Sequence, residues 1–295
     1  LKYLKSIEKI AERKGIYMFE YTEGFVKVNG INLHYYRTGG SKPKFILLHG
    51  AMDNGLCWTP VAEMLSEKYD VIMPDAQGHG LSDRLDPDFT SMNHTEQAVG
   101  LMQELEISDP IIMGHSMGAS TTASIAASYP DLPRAIILED PGWNVPGSMG
   151  PGNQDERAKQ REAFMKSFME YGKRSREDLI AECRKTNPRW PEADIVAWAE
   201  SKLLFDPTIF SRMRPDRPSY TEVVPEIKCP TLLITSDAGI VTAEIARQAV
   251  SLSKAKPPLK WVEIKGAGHN IRRDQFKTFC DTLNKFLDAL PARTD

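Results

Sequence analysis

Ser116 stands in Gly114-His115-Ser116-Met117-Gly118, between a short apolar run, Pro110-Ile111-Ile112-Met113, and a stretch of small residues from Ala119 to Tyr129. A strand that turns into a helix through G-x-S-x-G is the setting in which a serine serves as a nucleophile. The glycines let strand and helix approach closely, because neither position carries a Cβ. Such a turn lifts the hydroxyl above the sheet edge. The helix behind it offers unpaired N–H groups and the positive end of its dipole. The chemistry implied is nucleophilic acyl transfer.

A serine hydroxyl needs a base within hydrogen-bond reach and a third group to orient that base. Of six histidines, His269 has the right setting: Gly266-Ala267-Gly268-His269-Asn270 is a glycine-rich loop between a strand and the last helix. A base there shares the sheet edge with Ser116. His34 lies within a strand, His49 and His79 in glycine-flanked turns, and His94 at a polar helix start. His115 adjoins the serine, and neighbouring side chains on a tight turn point apart. An oxyanion needs N–H donors. The Met117 amide, just after the nucleophile, and the Ala51 amide, in His49-Gly50-Ala51-Met52-Asp53-Asn54-Gly55, are the two candidates.

The elements that must hold these residues alternate along the chain. Two strands meet at Asn29-Gly30, a two-residue hairpin signal. Apolar runs then alternate with helical stretches: Phe45 to Leu48 before a helix near Thr59 to Lys68, and Asp70 to Met73 before one near Thr95 to Leu105. After the Ser116 unit come Ala135 to Leu138, Thr231 to Thr235 with a helix from Ala243, and Leu259 to Ile264 with a final helix. Short, continuously apolar strands separated by helices read as an α/β protein, a mostly parallel sheet covered on both faces. The alternation breaks between Gly142 and about Val224, where charged helical stretches and Pro-rich punctuation replace it. That segment reads as a helical insertion, a lid over the serine, with residues 1–141 and 225–295 forming the core. Residues 1–20 read as an amphipathic surface helix.

A chain of 295 residues with 41% hydrophobic and 26% charged side chains has the composition of an ordinary globular protein. A net charge of −3 gives no electrostatic reason to expect nucleic acid or an anionic membrane as partner. Cys57, Cys183, Cys229 and Cys280 form no C-x-x-C pair, so neither a zinc site nor a disulfide framework is expected, and a cytoplasmic location is.

With His49-Gly50, Pro74-Asp75-Ala76-Gln77-Gly78-His79-Gly80-Leu81-Ser82-Asp83, the Ser116 pentapeptide and Gly266-Ala267-Gly268-His269, the chain resembles the α/β-hydrolase family from about Phe25 to Leu290. The resemblance implies an eight-stranded, mostly parallel sheet, a Ser-acid-His triad in that chain order and a lid after the sixth strand. Asp75 and His79 match residues that hold loop structure in the family. The acid departs from the commonest pattern. Many relatives carry it after the seventh strand in a G-x-x-D turn, which here reads Ser236-Asp237-Ala238-Gly239. Others, the haloalkane dehalogenases among them, carry it after the sixth strand, where Asp140 stands. Asp140 is therefore placed ahead of Asp237, with Glu139 third.

The function expected is a serine hydrolase for a small apolar ester or lactone, without metal or organic cofactor. Ser116 argues against dehalogenase and epoxide-hydrolase chemistry, whose nucleophile is an aspartate. A cofactor-free C–C bond hydrolase and a slow-turnover receptor on the same fold are the rivals. Trp143 and Phe164 in the insertion are the expected pocket residues.

Overall fold

The protein is described from a computed structural model that covers residues 21–144, 169–209 and 218–291. Eight strands form one sheet in the order β1-β2-β4-β3-β5-β6-β7-β8. β1 (Thr22–Val28) and β2 (Ile31–Arg37) are the hairpin, turned at Asn29 and Gly30 with φ of 52° and 89°. Both central residues of the turn are thus left-handed, as a hairpin connection of this length requires. β2 runs antiparallel to β4 (Asp70–Pro74), and from β4 onward every neighbour is parallel. These are β3 (Lys44–Leu48), β5 (Ile111–His115), β6 (Ala135–Glu139), β7 (Thr231–Ser236) and β8 (Lys260–Ile264).

The central parallel strands are apolar through their middles because both faces are covered. Ile46, Leu48, Ile112, Ile136, Leu138 and Leu233 point into one cluster. It is closed by α2 (Ser91–Glu104), α3 (Met117–Ser128), α6 (Tyr220–Val223) and α7 (Ala243–Leu252). Phe45, Leu47, Ile111, Met113, Ile137, Leu232 and Ile234 point into the other. That face is covered by α1 (Thr59–Ser66) and α9 (Phe276–Leu287). Alternate residues of one strand feed alternate cores, as the period of two dictates.

Helix α2 begins earlier than its apolar pattern indicates. Thr90 and Asn93 form a capping box that starts it at Ser91 and not near Thr95, a case of side-chain oxygens deciding a boundary. Between β6 and β7 lie α4 (Arg176–Thr186) and α5 (Glu192–Leu204), which pack on each other through Cys183, Trp190, Ile195 and Trp198. Near the end of this connection, α6 carries Tyr220 and Val223 into the first core cluster. A short helix, α8 (Ile271–Asp274), follows β8 and leads into α9. No described helix is long and apolar enough to cross a membrane.

Candidate active site

β5 ends at His115 and α3 begins at Met117, leaving Ser116 alone at the junction with φ 51° and ψ −111°. A non-glycine residue held there carries strain of order 1–3 kcal/mol, and such strain collects where geometry serves function. Its neighbours enforce it. The Ser116 N–H donates to Glu139 O at 3.0 Å, and its carbonyl accepts from Gly142 N and Ser120 N, each at 3.0 Å. A Cβ on Gly114 would collide with the Gly118 carbonyl, and one on Gly118 with the Leu48 carbonyl. Both glycines are therefore required by close packing of β5, α3 and β3.

His269 lies in the loop after β8 and presents Nδ1 to Asp140 Oδ2 at 2.6 Å. A carboxylate only accepts, so this contact assigns the proton to Nδ1 and leaves Nε2 free to act as base. Asp140 is fully buried, and its own φ is 39°. Its carboxylate is held from the opposite side by the amides of Ile240, 2.8 Å from Oδ2, and Val241, 3.0 Å from Oδ1. Room for it comes from Gly239, where a Cβ would lie 2.6 Å from Asp140 Oδ2. The glycine that replaces an aspartate in the β7 turn thus vacates the volume that the Asp140 carboxyl occupies.

The other two carboxylates have different partners. Asp237 accepts from Gly266 N at 2.8 Å and joins two loops at the surface. Glu139 is buried and holds Arg272 through its backbone N–H at 2.9 Å and its guanidinium at 3.0 Å. Burial raises the Glu139 carboxyl, and Arg272 opposes that.

The loop after β3 crosses above the serine: a Cβ on Gly50 would lie 3.4 Å from Ser116 Cβ and 2.7 Å from His115 Nδ1. Ala51 and Met117 accordingly share one apolar cluster with Met52, Leu85, Phe89 and Phe205. His49 fixes the loop from below. It accepts from Ala76 N at 3.0 Å and so donates through Nδ1 to Gly50 O at 2.8 Å. Burial keeps His49 and His79 below the usual histidine range, and burial with Arg272 does the same for His115. Asp75 receives the amides of Gly55 and Leu81 and the His34 ring, which makes it a loop anchor.

Ser116 Oγ and the His269 ring do not hydrogen-bond in this geometry; such contacts are often long until a substrate is bound. His115 supports His269 from behind, donating to its carbonyl at 2.9 Å, with the two rings 4.6 Å apart. No local sequence pattern marks this contact, because it joins residues 154 apart. Trp143 stacks on Tyr220 at 5.3 Å, one residue beyond the Gly142 amide that binds Ser116. Phe164 lies outside the described residues. Among the described residues no group of three His, Cys, Asp or Glu side chains could hold a metal ion.

Residues 45–281 match the sequence profile of the Alpha/beta hydrolase family. The chain belongs to that family. As an α/β hydrolase it is 25% identical over 266 residues to the 2-(acetamidomethylene)succinate hydrolase of Mesorhizobium japonicum, covering 86% of this chain and 91% of that protein. It is 26% identical to the N-formylmaleamate deformylase of Pseudomonas putida, covering 90% and 96% of the two chains. The fold also resembles that of the enol-lactonase from Burkholderia xenovorans, with a TM-score of 0.64 at 20% identity over 90% of this chain and all of that one. The relatives are hydrolases of small molecules, and this α/β hydrolase is a hydrolase.

Proposed function

We propose that the protein cleaves a small ester or lactone through Ser116, His269 and Asp140, by way of an acyl-enzyme. The observation that carries this reading is the 2.6 Å contact of His269 Nδ1 with buried Asp140, at the sheet edge where strained Ser116 stands. Ser116 Oγ attacks the acyl carbon while His269 Nε2 takes its proton. The imidazolium that forms is stabilised by Asp140, whose carboxylate is held in place by the two amides and the ring. The amides of Ala51 and Met117 receive the oxyanion, His269 returns the proton to the leaving group, and water repeats the sequence to free the acid. The described part of the connection between β6 and β7 acts as a lid, with Trp143 as a pocket residue.

The names of two relatives favour a second bond type for the same chemistry. A deformylase of an N-formyl compound works on a formyl group attached to nitrogen. An amide-type acyl carbon is attacked by the same serine and released by the same acid, so the residue roles do not change. A panel of p-nitrophenyl esters, lactones and N-acyl compounds separates the readings. The account expects sustained multiple turnover with at least one ester or lactone. A single stoichiometric release with every compound supports the receptor instead, and sustained turnover of N-acyl compounds alone moves the assignment to amide-type bonds.

A further inference from the structure

Lys202 is 4% exposed and comes from α5, far along the chain from the oxyanion loop it touches. Its Nζ donates to Met52 O at 2.8 Å and to Ser201 Oγ at 3.3 Å, and the Trp198 ring lies over the ammonium at 4.7 Å. An ammonium has three donors. Here two are used within the protein and an aromatic face covers the charge, so Lys202 is not presented to a substrate.

Its target is the middle of a turn that needs holding. Asp53 N donates to Gly50 O at 3.2 Å, closing a turn whose central residues are Ala51 and Met52. Met52 has φ 62°, the left-handed region that a side chain disfavours. The start of this turn is pressed against Ser116 and His115 through Gly50. Its end is held by Arg273, which donates to both Asp53 oxygens at 3.1 and 3.2 Å and lies four residues beyond His269. The carbonyl between these fixed ends is the one that Lys202 takes.

We propose that Lys202 is a positioning residue for the oxyanion hole, holding the Gly50–Asp53 turn so that the Ala51 amide stays aimed at the reacting carbonyl. The proposal rests on the serine-hydrolase reading above. It makes the α5 helix part of the catalytic geometry: its contact with the loop braces the hole, and the Asp53–Arg273 pair ties the same loop to the segment that carries His269.

The charges around Lys202 make the role visible in a pH profile. Burial pushes the Lys202 ammonium down to about 8, and Asp53 in the turn opposes that. The other facing groups are Arg273 from α8, Cys57 from the 3₁₀ turn Gly55–Trp58, Cys183 from α4, and His79 from the loop after β4, whose ring burial keeps well below 6.5. Burial raises both thiols above their ordinary value, and Arg273 stays charged, so Lys202 is the group of this set that titrates just above neutrality. Loss of its proton weakens the bond to Met52 O and lowers kcat. The alkaline limb of the profile therefore reports the proton that Lys202 loses.

The test is kcat and KM against pH for the wild type, Lys202→Arg and Lys202→Met on one ester, with fluorophosphonate labelling of each protein. Expected is a wild-type kcat that falls with a midpoint near 8, a limb that disappears from the working range in Lys202→Arg, whose charge persists past about pH 12, and a tenfold to roughly hundredfold lower kcat in Lys202→Met with KM changed less than about threefold. If Lys202→Met does not fold, the wild-type and Lys202→Arg profiles decide alone. A labelled Ser116 with no alkaline limb and unchanged kcat in the variants overturns the proposal. So does a raised KM at constant kcat, which makes Lys202 a substrate contact. An unlabelled, inactive wild type overturns the hydrolase reading itself, and the proposal with it.

Discussion

Asp140 and Asp237 stand at the ends of adjacent strands, yet their surroundings give them different work. Asp140 is buried, held by two amides, and faces His269 Nδ1. Asp237 accepts from Gly266 N in an exposed loop. Replacing the triad acid with its amide typically lowers kcat by about ten-thousandfold, because the imidazole is then held in the wrong tautomer. Asp140→Asn is therefore expected to lose roughly that factor while Asp237→Asn keeps near wild-type kcat, measured as steady-state turnover of one ester. The reverse result reassigns the acid. Ser116 and His269 can be read from local motifs, since Gly114 and Gly118 flank the serine and Gly266 and Gly268 lead into the histidine. The acid was open because its identity depends on whether Gly239 or an aspartate fills one small volume across the sheet edge. Lys202, Asp53 and Arg273 carry no local signature. Their partners lie 150 and 220 residues away, and no local pattern marks a buried charge pair.

At the scale of elements, the central strands are legible because burial on both faces gives them short, continuous apolar runs. The hairpin was legible because Asn29-Gly30 is the pair that tolerates two left-handed residues. The connection between β6 and β7 was legible as an interruption but not as a set of contacts. Its aromatic residues do two jobs that composition does not distinguish. Trp190 donates to Asp274 Oδ1 at 2.8 Å and stacks under Arg273, fastening α4 and α5 to α8. Trp143 instead stacks on Tyr220, whose ring belongs to the core beside α3. Trp143→Ala removes that stacking and leaves a gap beside the serine turn. The expected cost is about 2 kcal/mol of unfolding free energy, read from urea denaturation, with a shift in preferred acyl size. A stability change under about 0.5 kcal/mol contradicts the packing role.

For the molecule as a whole, the buried histidines set how it meets acid. His49, His79 and His115 lie inside the fold, and burial lowers all three from the ordinary value of 6.5. The unfolded chain binds protons at these rings below that value and the folded chain does not, so folding stability falls as the pH drops through it. Each ring contributes about 1.4 kcal/mol per pH unit until its folded value is reached. Asp53 adds a second loss at lower pH. Burial favours its neutral form, but Arg273, Lys202 and Arg272 outweigh burial and hold it well below the carboxylate range. Its contribution is present above the ordinary value of 3.8 and is lost as the pH falls beneath it. The melting temperature is expected to decline from about pH 6.5 downward, and a flat profile between about 7 and 5 contradicts the assignment of neutral, buried rings.

The claim on which the rest depends is that Ser116 is the nucleophile. Fluorophosphonate labelling followed by peptide mapping tests it most directly, since the reagent traps a serine only where a base and an oxyanion hole activate it. The account predicts one adduct, on Ser116, that is absent from Ser116→Ala while that variant keeps the wild-type melting temperature. An adduct on another residue, or esterase activity retained by Ser116→Ala, would contradict it.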